Sequence, residues 1–237
     1  MNFESIYKRI IYEDNHILVI NKLPGEIVQV DKSGDHSLED ALKGFIKERD
    51  QKRGNVFLGV THRIDRPASG TLLFAKTGKA LARCNDLFRD QEIQKTYWAI
   101  TIHQPNPEHA QLHHYLVRNQ KLNKSFIYAN PTPNAKEALL NYRTIGKSDR
   151  FHFIEVELIT GRHHQIRAQM AAIGCPIKGD LKYGAPRSNP DSGISLHARS
   201  LSFIHPVKKE RIEVVAPVPE DVLWNLFVTL QHQKGTP

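Results

Sequence analysis

Apolar positions along the chain fall into short runs whose period changes repeatedly. Ile10-Ile11-Tyr12 and Ile17-Leu18-Val19-Ile20 flank the polar turn Glu13-Asp14-Asn15 and read as two short strands, with Val28-Gln29-Val30 as an extension of the second. Lys22, at the end of that run, reads as a solvated strand-end lysine or as a phosphate contact. Ser37 with Asp40 three residues on has the form of a capping box, and Leu38, Ala41, Leu42, Phe45 and Ile46 follow at helical spacing. The charged stretch 47–53 is a solvated helix end and loop. Leu72-Leu73-Phe74-Ala75, entered through a turn at Ser69-Gly70, predicts a buried strand. Thr77 then opens a helix striped by Ala80, Leu81, Cys84, Leu87 and Phe88, and the β-branched and aromatic run 94–100 is a strand.

Pro105, Pro107, Pro131 and Pro133 punctuate the polar stretch 103–136, which argues for loops or edge strands and against helix. Segments 138–146 and 151–159 read as paired strands, the second alternating well. A helix follows Thr160-Gly161, with Ile166, Met170 and Ile173 on its apolar face and Gly174 and Pro176 to stop it. Strands at 196–203 and 211–215 turn about His205-Pro206, and Asp221 begins a closing helix striped by Leu223, Leu226, Phe227 and Leu230. Strands and helices in this mixed order give the α+β class. With no repeat, low-complexity tract or linker, residues 1–237 read as one domain.

Lys plus Arg number 33 against 25 Asp plus Glu, a net charge of +8 and a pI near 9.4. Such a balance fits a polyanionic partner such as nucleic acid, or a surplus that only solubilises. Arg118, Lys121 and Lys124 beside Phe126 and Tyr128 could grip single-stranded RNA by charge and stacking; a bare surface hairpin fits the same residues. No apolar run reaches the length of a membrane span, and the N-terminus lacks a signal-peptide core, so the expected place is the cytoplasm. Cys84 and Cys175 build no disulfide framework. The adjacent pairs His113-His114 and His163-His164 point apart rather than converge, and without H-x-x-x-H or C-x-x-C no metal site is expected. Neither a Gly-rich phosphate loop nor a G-x-S-x-G elbow is present.

Candidate chemistry concentrates at His62-Arg63-Ile64-Asp65-Arg66, one acid between two arginines on a loop held by a core strand. Catalytic groups are often placed this way, and a carboxylate that merely neutralises its neighbours would look the same. Arg162 and Arg167 flank the first turn of a helix, where backbone N–H groups favour an anion; Asp65, a phosphate, or both could fill that role. Asp180, in the turn after Gly179, reads as a structural acceptor of backbone hydrogen bonds, with a place in a hydrolytic pair of carboxylates as the other reading.

Residues 62–70 resemble the H-R-L-D-x-x-T-S-G signature of the RluA-type pseudouridine synthases, which isomerise uridine in RNA. Residues 161–167 resemble that family's G-R-T/S-H-Q-I-R, and the segment from Gly174 to Gly184 resembles its G-x-P-I-x-G-D-x-x-Y-G. The opening from Asp14 to Val30 is similar to D-x-x-h-h-V-x-x-K-P-x-G (h, hydrophobic), with Leu23 inserted, and the end is similar to L-H-A-x-x-L-x-F-x-H-P. The resemblance runs over residues 11–216 and implies a mixed, largely antiparallel central sheet with flanking helices and a central active cleft. It also implies Asp65 as nucleophile or base, Arg167 as the cation beside it, and Tyr97 stacked on the target base. Arg63 matches the position that enters the space left by an extruded uridine, and Arg162, Lys121 and Lys124 are read as RNA contacts. Ribosomal or transfer RNA is the implied partner of a monomer with no cofactor, no metal and no N-terminal RNA-binding module. Ala68, His163 and Gln169 depart from the family's usual Thr, Thr or Ser, and His. Two other classes stand beside this reading: a non-catalytic RNA-binding or assembly factor, and a nucleosidase-like hydrolase that releases uracil.

Overall fold

The computed structural model describes residues 3–30, 34 and 36–234, so both ends of the expected 1–237 span lie outside the described residues. In chain order the elements are α1 (Phe3–Tyr7), β1 (Ile10–Glu13), β2 (Ile17–Lys22), α2 (Leu38–Arg49), β3 (Gly59–Val60), β4 (Ser69–Ala75), α3 (Gly78–Arg89) and β5 (Gln94–Thr101). They continue with β6 (His109–Asn119), β7 (Lys124–Tyr128), β8 (Lys136–Lys147), β9 (His152–Leu158), α4 (Gln165–Ala172), a 3-10 turn (Leu181–Tyr183), β10 (Leu196–Ile204), β11 (Arg211–Val215) and α5 (Val222–Lys234). The chain divides into two compact units, Met1–Ile93 with Ala198–Pro217, and Gln94–His197 with Val218–Pro237.

In the first unit β2 lies between β1 and β4, antiparallel to both, with Lys22 opposite Gly70. The runs in β2 and β4 are apolar without alternation because both faces are covered. Leu18, Ile20, Leu72 and Phe74 pack with Leu42, Phe45 and Ile46 of α2, while Ile17, Val19 and Leu73 pack with Cys84 of α3 and Leu201, Phe203 and Val214 of β10 and β11. The Ser37 hydroxyl accepts the Asp40 N–H at 3.1 Å and donates to the Asp40 carboxylate at 2.7 Å, so Ser37 caps α2 as its spacing suggested. Residues 28–30 do not extend β2: the Ile27 and Val28 carbonyls accept the N–H groups of Leu38 and Glu39 and are spent on the first turn of α2. The turn expected at Ser69-Gly70 lies earlier, at Arg66-Pro67, and both residues are already strand. Gly70 has φ +116, and a Cβ there would sit 2.2 Å from the Ala198 carbonyl oxygen, so the close approach of β10 requires glycine.

The second unit has strand order β5-β9-β8-β6-β7, each pair antiparallel. One face carries α5, with Trp224 and Phe227 packed on Trp98, Ile100, Ile145 and Phe153; the other carries α4, with Ala168 and Tyr183 against Leu116 and Ala138. The stretch read as loops or edge strands is a hairpin whose first strand, β6, is interior between β7 and β8; only β7 is an edge. The four prolines lie outside β6 and β7, where no ladder N–H is needed. The molecule is α+β with a largely antiparallel sheet and flanking helices.

Candidate active site

Asp65 stands at the head of a tight turn, its carbonyl accepting the Ala68 N–H at 3.0 Å. The turn is tied down on both sides. Before it, Thr61 donates to the Leu73 carbonyl at 2.7 Å, His62 accepts the Leu73 N–H at 3.1 Å and lies 4.5 Å from the Phe88 ring, and Ile64 is buried. After it, the Gly25 N–H donates to the Arg66 carbonyl at 2.8 Å and the Arg66 Nε donates to the Gly25 carbonyl at 3.0 Å. Asp65 itself is half-buried, whereas Arg63 and Arg66 are exposed.

Beneath the turn lies Lys22, and its solvated reading is wrong: the side chain is 0% exposed. Its ammonium donates to the carbonyls of Leu23, Arg66 and Ala68 at 2.9, 3.0 and 2.7 Å. An ammonium has three protons, and each has an oxygen. Burial pushes its pKa down to about 8, while the negative charges of Glu26 and Asp65 oppose that shift. Two of the three carbonyls belong to the turn that follows Asp65, so the cation holds the loop through its backbone.

In the second unit, strand alternation sends Trp98 and Ile100 into the α5 core and leaves Tyr97 on the opposite face, 9% exposed and opposite Val156. Arg167, in the first turn of α4, is 4% exposed and gives its Nε and Nη2 to the two oxygens of Asp180 at 2.7 and 2.8 Å. The anion on that edge of the guanidinium is Asp180. Asp180 is structural as anticipated, but through a guanidinium rather than backbone N–H donors. The Tyr183 ring lies beside the pair, 5.1 Å from the guanidinium carbon. Two parallel bonds in a site closed to water fix the rotamer of Arg167 more firmly than one bond could.

His164 precedes α4 with φ 54, and its Nδ1 lies 3.1 Å from the Tyr183 hydroxyl. Burial and the nearby Arg167 push its pKa down to about 2, so the ring is neutral. His163, a departure from the family pattern expected to point away from His164, instead stacks on it at 3.7 Å because His164 is left-handed, and it joins the β6–β7 turn, its Nδ1 2.9 Å from the Ser125 hydroxyl and its Nε2 3.1 Å from Asn123. Ser125 donates to the His163 carbonyl at 2.6 Å, and its own N–H donates to the Tyr183 hydroxyl at 2.8 Å. Gln169, another departure, donates to the Leu112 and Ala138 carbonyls from beneath the hairpin.

Arg63 and Asp65 thus share one loop of the first unit, and Tyr97, Arg162, Arg167, Lys121 and Lys124 belong to the second. Arg162 is half-buried with Nε on the Glu137 carbonyl; Lys121 is exposed; Lys124 rests 4.9 Å over the Tyr183 ring. Sequence reasoning missed Lys22, Asp180 as the partner of Arg167, and Ser125. Among the described residues no group of three or more His, Cys, Asp or Glu side chains could hold a metal ion, and no helix is long and apolar enough to cross a membrane.

Comparison with known proteins gives a family from sequence and a matching fold from structure. The ribosomal large subunit pseudouridine synthase C of Vibrio cholerae is 32% identical over 215 residues, 88% of this chain and 65% of the relative. Its counterpart in Vibrio parahaemolyticus is 34% identical, over 94% of this chain and 69% of the relative. The chain thus spans about two thirds of the length of these relatives. Human RNA pseudouridylate synthase domain containing 4 has the same fold, with a TM-score of 0.80 at 23% identity over 97% of this chain and 95% of that one. The profile of the family described as RNA pseudouridylate synthase matches residues 16–172, a span that includes Asp65, Tyr97 and Arg167, and the chain belongs to that family.

Proposed function

We propose that this protein is an RNA pseudouridine synthase that isomerises uridine in ribosomal RNA of the large subunit, working as a monomer in the cytoplasm. The observation that supports it most is Asp65, half-buried at the head of a turn that a fully buried ammonium holds by its carbonyls. A carboxylate that only neutralised Arg63 and Arg66 would not call for such a support.

Isomerisation breaks the bond from C1′ to N1, turns the base, and forms a bond from C1′ to C5. The hydrogen on C5 leaves as a proton and N1 gains one, so mass and oxidation state are unchanged. Asp65 acts at the sugar–base junction, as nucleophile or as the base that moves a proton. A uridine in folded RNA must first leave its stack. Arg63, exposed on the same loop as Asp65, is assigned to the space it leaves. Tyr97 offers a ring for the extruded base, and Arg167, fixed by Asp180, supplies a rigid cation. Arg162, Lys121 and Lys124 meet phosphates. The residues assigned to the reaction come from both compact units, and the family match runs through both, so residues 1–237 are read as one catalytic domain.

RNA labelled with tritium at uridine C5 tests the reading. Isomerisation releases the tritium to water and leaves the RNA mass otherwise unchanged. Free tritiated uracil would instead establish a hydrolase, and tight binding with neither product would establish a non-catalytic RNA-binding factor.

A further inference from the structure

The β6–β7 hairpin has two unlike faces. One is packed: Leu116 and Ile127 meet Ala168 of α4, and Gln169 reaches the Leu112 carbonyl. On the other face the alternation of β6 places His113, Tyr115 and Val117, and that of β7 places Phe126 and Tyr128. The register sets Tyr115 opposite Tyr128 and Val117 opposite Phe126, so these side chains stand about 5 Å apart at Cβ across the strands. His113 and Tyr115 are ring neighbours at 5.4 Å.

This aromatic row is open. Phe126 is 39% and Tyr128 44% exposed, although burying such rings is what ordinarily holds a sheet face together. The helix that covers the same face elsewhere, α5, packs at Ile145 and Gly146 of β8, far along that strand from the hairpin. The segment that carries the row is basic. Residues 109–136 carry Arg118, Lys121, Lys124 and Lys136 and no carboxylate. One acid shares the face: Glu137, opposite Tyr115 in the register, lies 3.0 Å from His113 Nε2, so the cation free of it nearest the row is Lys121 in the hairpin turn. Lysines are depleted from the centres of protein–protein contacts, whereas rings interleaved with cations suit a chain of unpaired bases joined by phosphates.

We propose that the outer face of the β6–β7 hairpin is a stacking platform for an unpaired stretch of RNA, with Tyr115, Phe126 and Tyr128 against bases and Lys121 on the backbone. This rests on the reading that the protein acts on RNA, and adds where an unpaired segment is held. The platform is rigid, because Ser125, Asn123 and His163 fasten the hairpin turn to the segment before α4.

The test uses the full chain, a labelled oligouridylate of about 12 nucleotides, and an RNA duplex of the same length. Phe126→Ala and Tyr128→Ala should each weaken oligouridylate binding by about 5- to 50-fold, leaving duplex binding and the salt slope unchanged. Lys121→Ala should weaken both RNAs and reduce the salt slope by about 0.7 on the single strand. Phe126→Tyr should bind as the wild type does. Oligouridylate affinity within twofold of wild type in both alanine variants, with melting temperatures unchanged, would overturn the platform, as would equal losses on strand and duplex. Binding requires no turnover, so the two readings fail separately. An active enzyme with unaffected binding loses the platform alone, and an inactive wild type that shows the stacking pattern loses the isomerase reading alone.

Discussion

Three carbonyl oxygens around the Lys22 ammonium make it both a support and a titrating group at the scale of one residue. Lys22→Met fills the space but removes the donors, leaving buried carbonyls without them at a cost of about 3 kcal/mol. The turn after Asp65 should loosen, and single-turnover isomerisation should fall by about 100-fold, in proportion to a misplaced catalytic group. Because burial brings this pKa from 10.5 to about 8, the folded protein gives up the proton before the unfolded chain does. Between those two pH values the unfolded state binds more protons, so stability should rise with pH, by at most about 3 kcal/mol. Activity should fall across the same window as the ammonium releases the turn. Urea melts and single-turnover rates at a series of pH values check this opposite movement. An alkaline limb that persists in Lys22→Met would belong to another group.

Arg167 and Asp180, both almost fully buried, behave as one unit. Asp180→Asn keeps the shape but leaves a buried guanidinium beside a neutral amide, a destabilisation of about 3 kcal/mol. Arg167→Lys retains charge and loses the two-pronged grip, so activity should rank wild type, then Arg167→Lys, then Arg167→Met. Arg167→Met matching the wild type in single turnover would remove the arginine from the reaction.

At the scale of elements, the β1–β2 turn is built around Asp14. Burial would raise its carboxyl, but the N–H groups of Ile17 and His16 and the Lys208 ammonium outweigh it and hold the carboxyl well below its ordinary value. A depressed folded-state pKa contributes stability above the ordinary carboxylate range and loses it as pH falls through that range and below. The difference in melting temperature between wild type and Asp14→Ala should therefore be largest near neutrality and shrink below pH of about 4. A constant difference would mean that the turn is held by geometry and not by charge. Neighbouring β4 was harder to delimit from its residues. Ser69-Gly70 has the composition of a turn, and only the approach of the Ala198 backbone makes it strand. Local chemistry is blind to such a constraint, because the partner lies more than a hundred residues away.

Across the whole molecule, the elements were legible where apolar runs match a covered face: the apolar cores of β2 and β4 and the stripes of α2 and α3 follow their patterns, the strand ends do not. The hairpin was half legible, since prolines mark its limits but not the interior place of β6. Asp65, Tyr97 and Arg167 could be singled out through motifs. Lys22 could not be assigned its burial, because a lysine after an apolar strand looks the same whether water or three carbonyls receive it. Nor does a spacing of 13 residues reveal that Asp180 faces Arg167. The charge of +8 acts at this scale too. The RNA association constant should decline linearly with salt on logarithmic axes, with a slope of about −0.7 for each phosphate contacted on a single strand. A slope near zero would leave the net charge without a role in binding.

The central claim is that Asp65 does the chemistry, and Asp65→Asn tests it most directly. The amide is nearly isosteric but can neither attack C1′ nor accept a proton there. With enzyme in excess over an RNA that the wild type isomerises, tritium release from uridine C5 by Asp65→Asn should be undetectable. Its affinity for that RNA should stay within about tenfold of wild type, as expected of a residue whose interaction is made in the transition state. Tritium release by the purified variant at a rate comparable with wild type would contradict the account and move the catalytic carboxylate elsewhere.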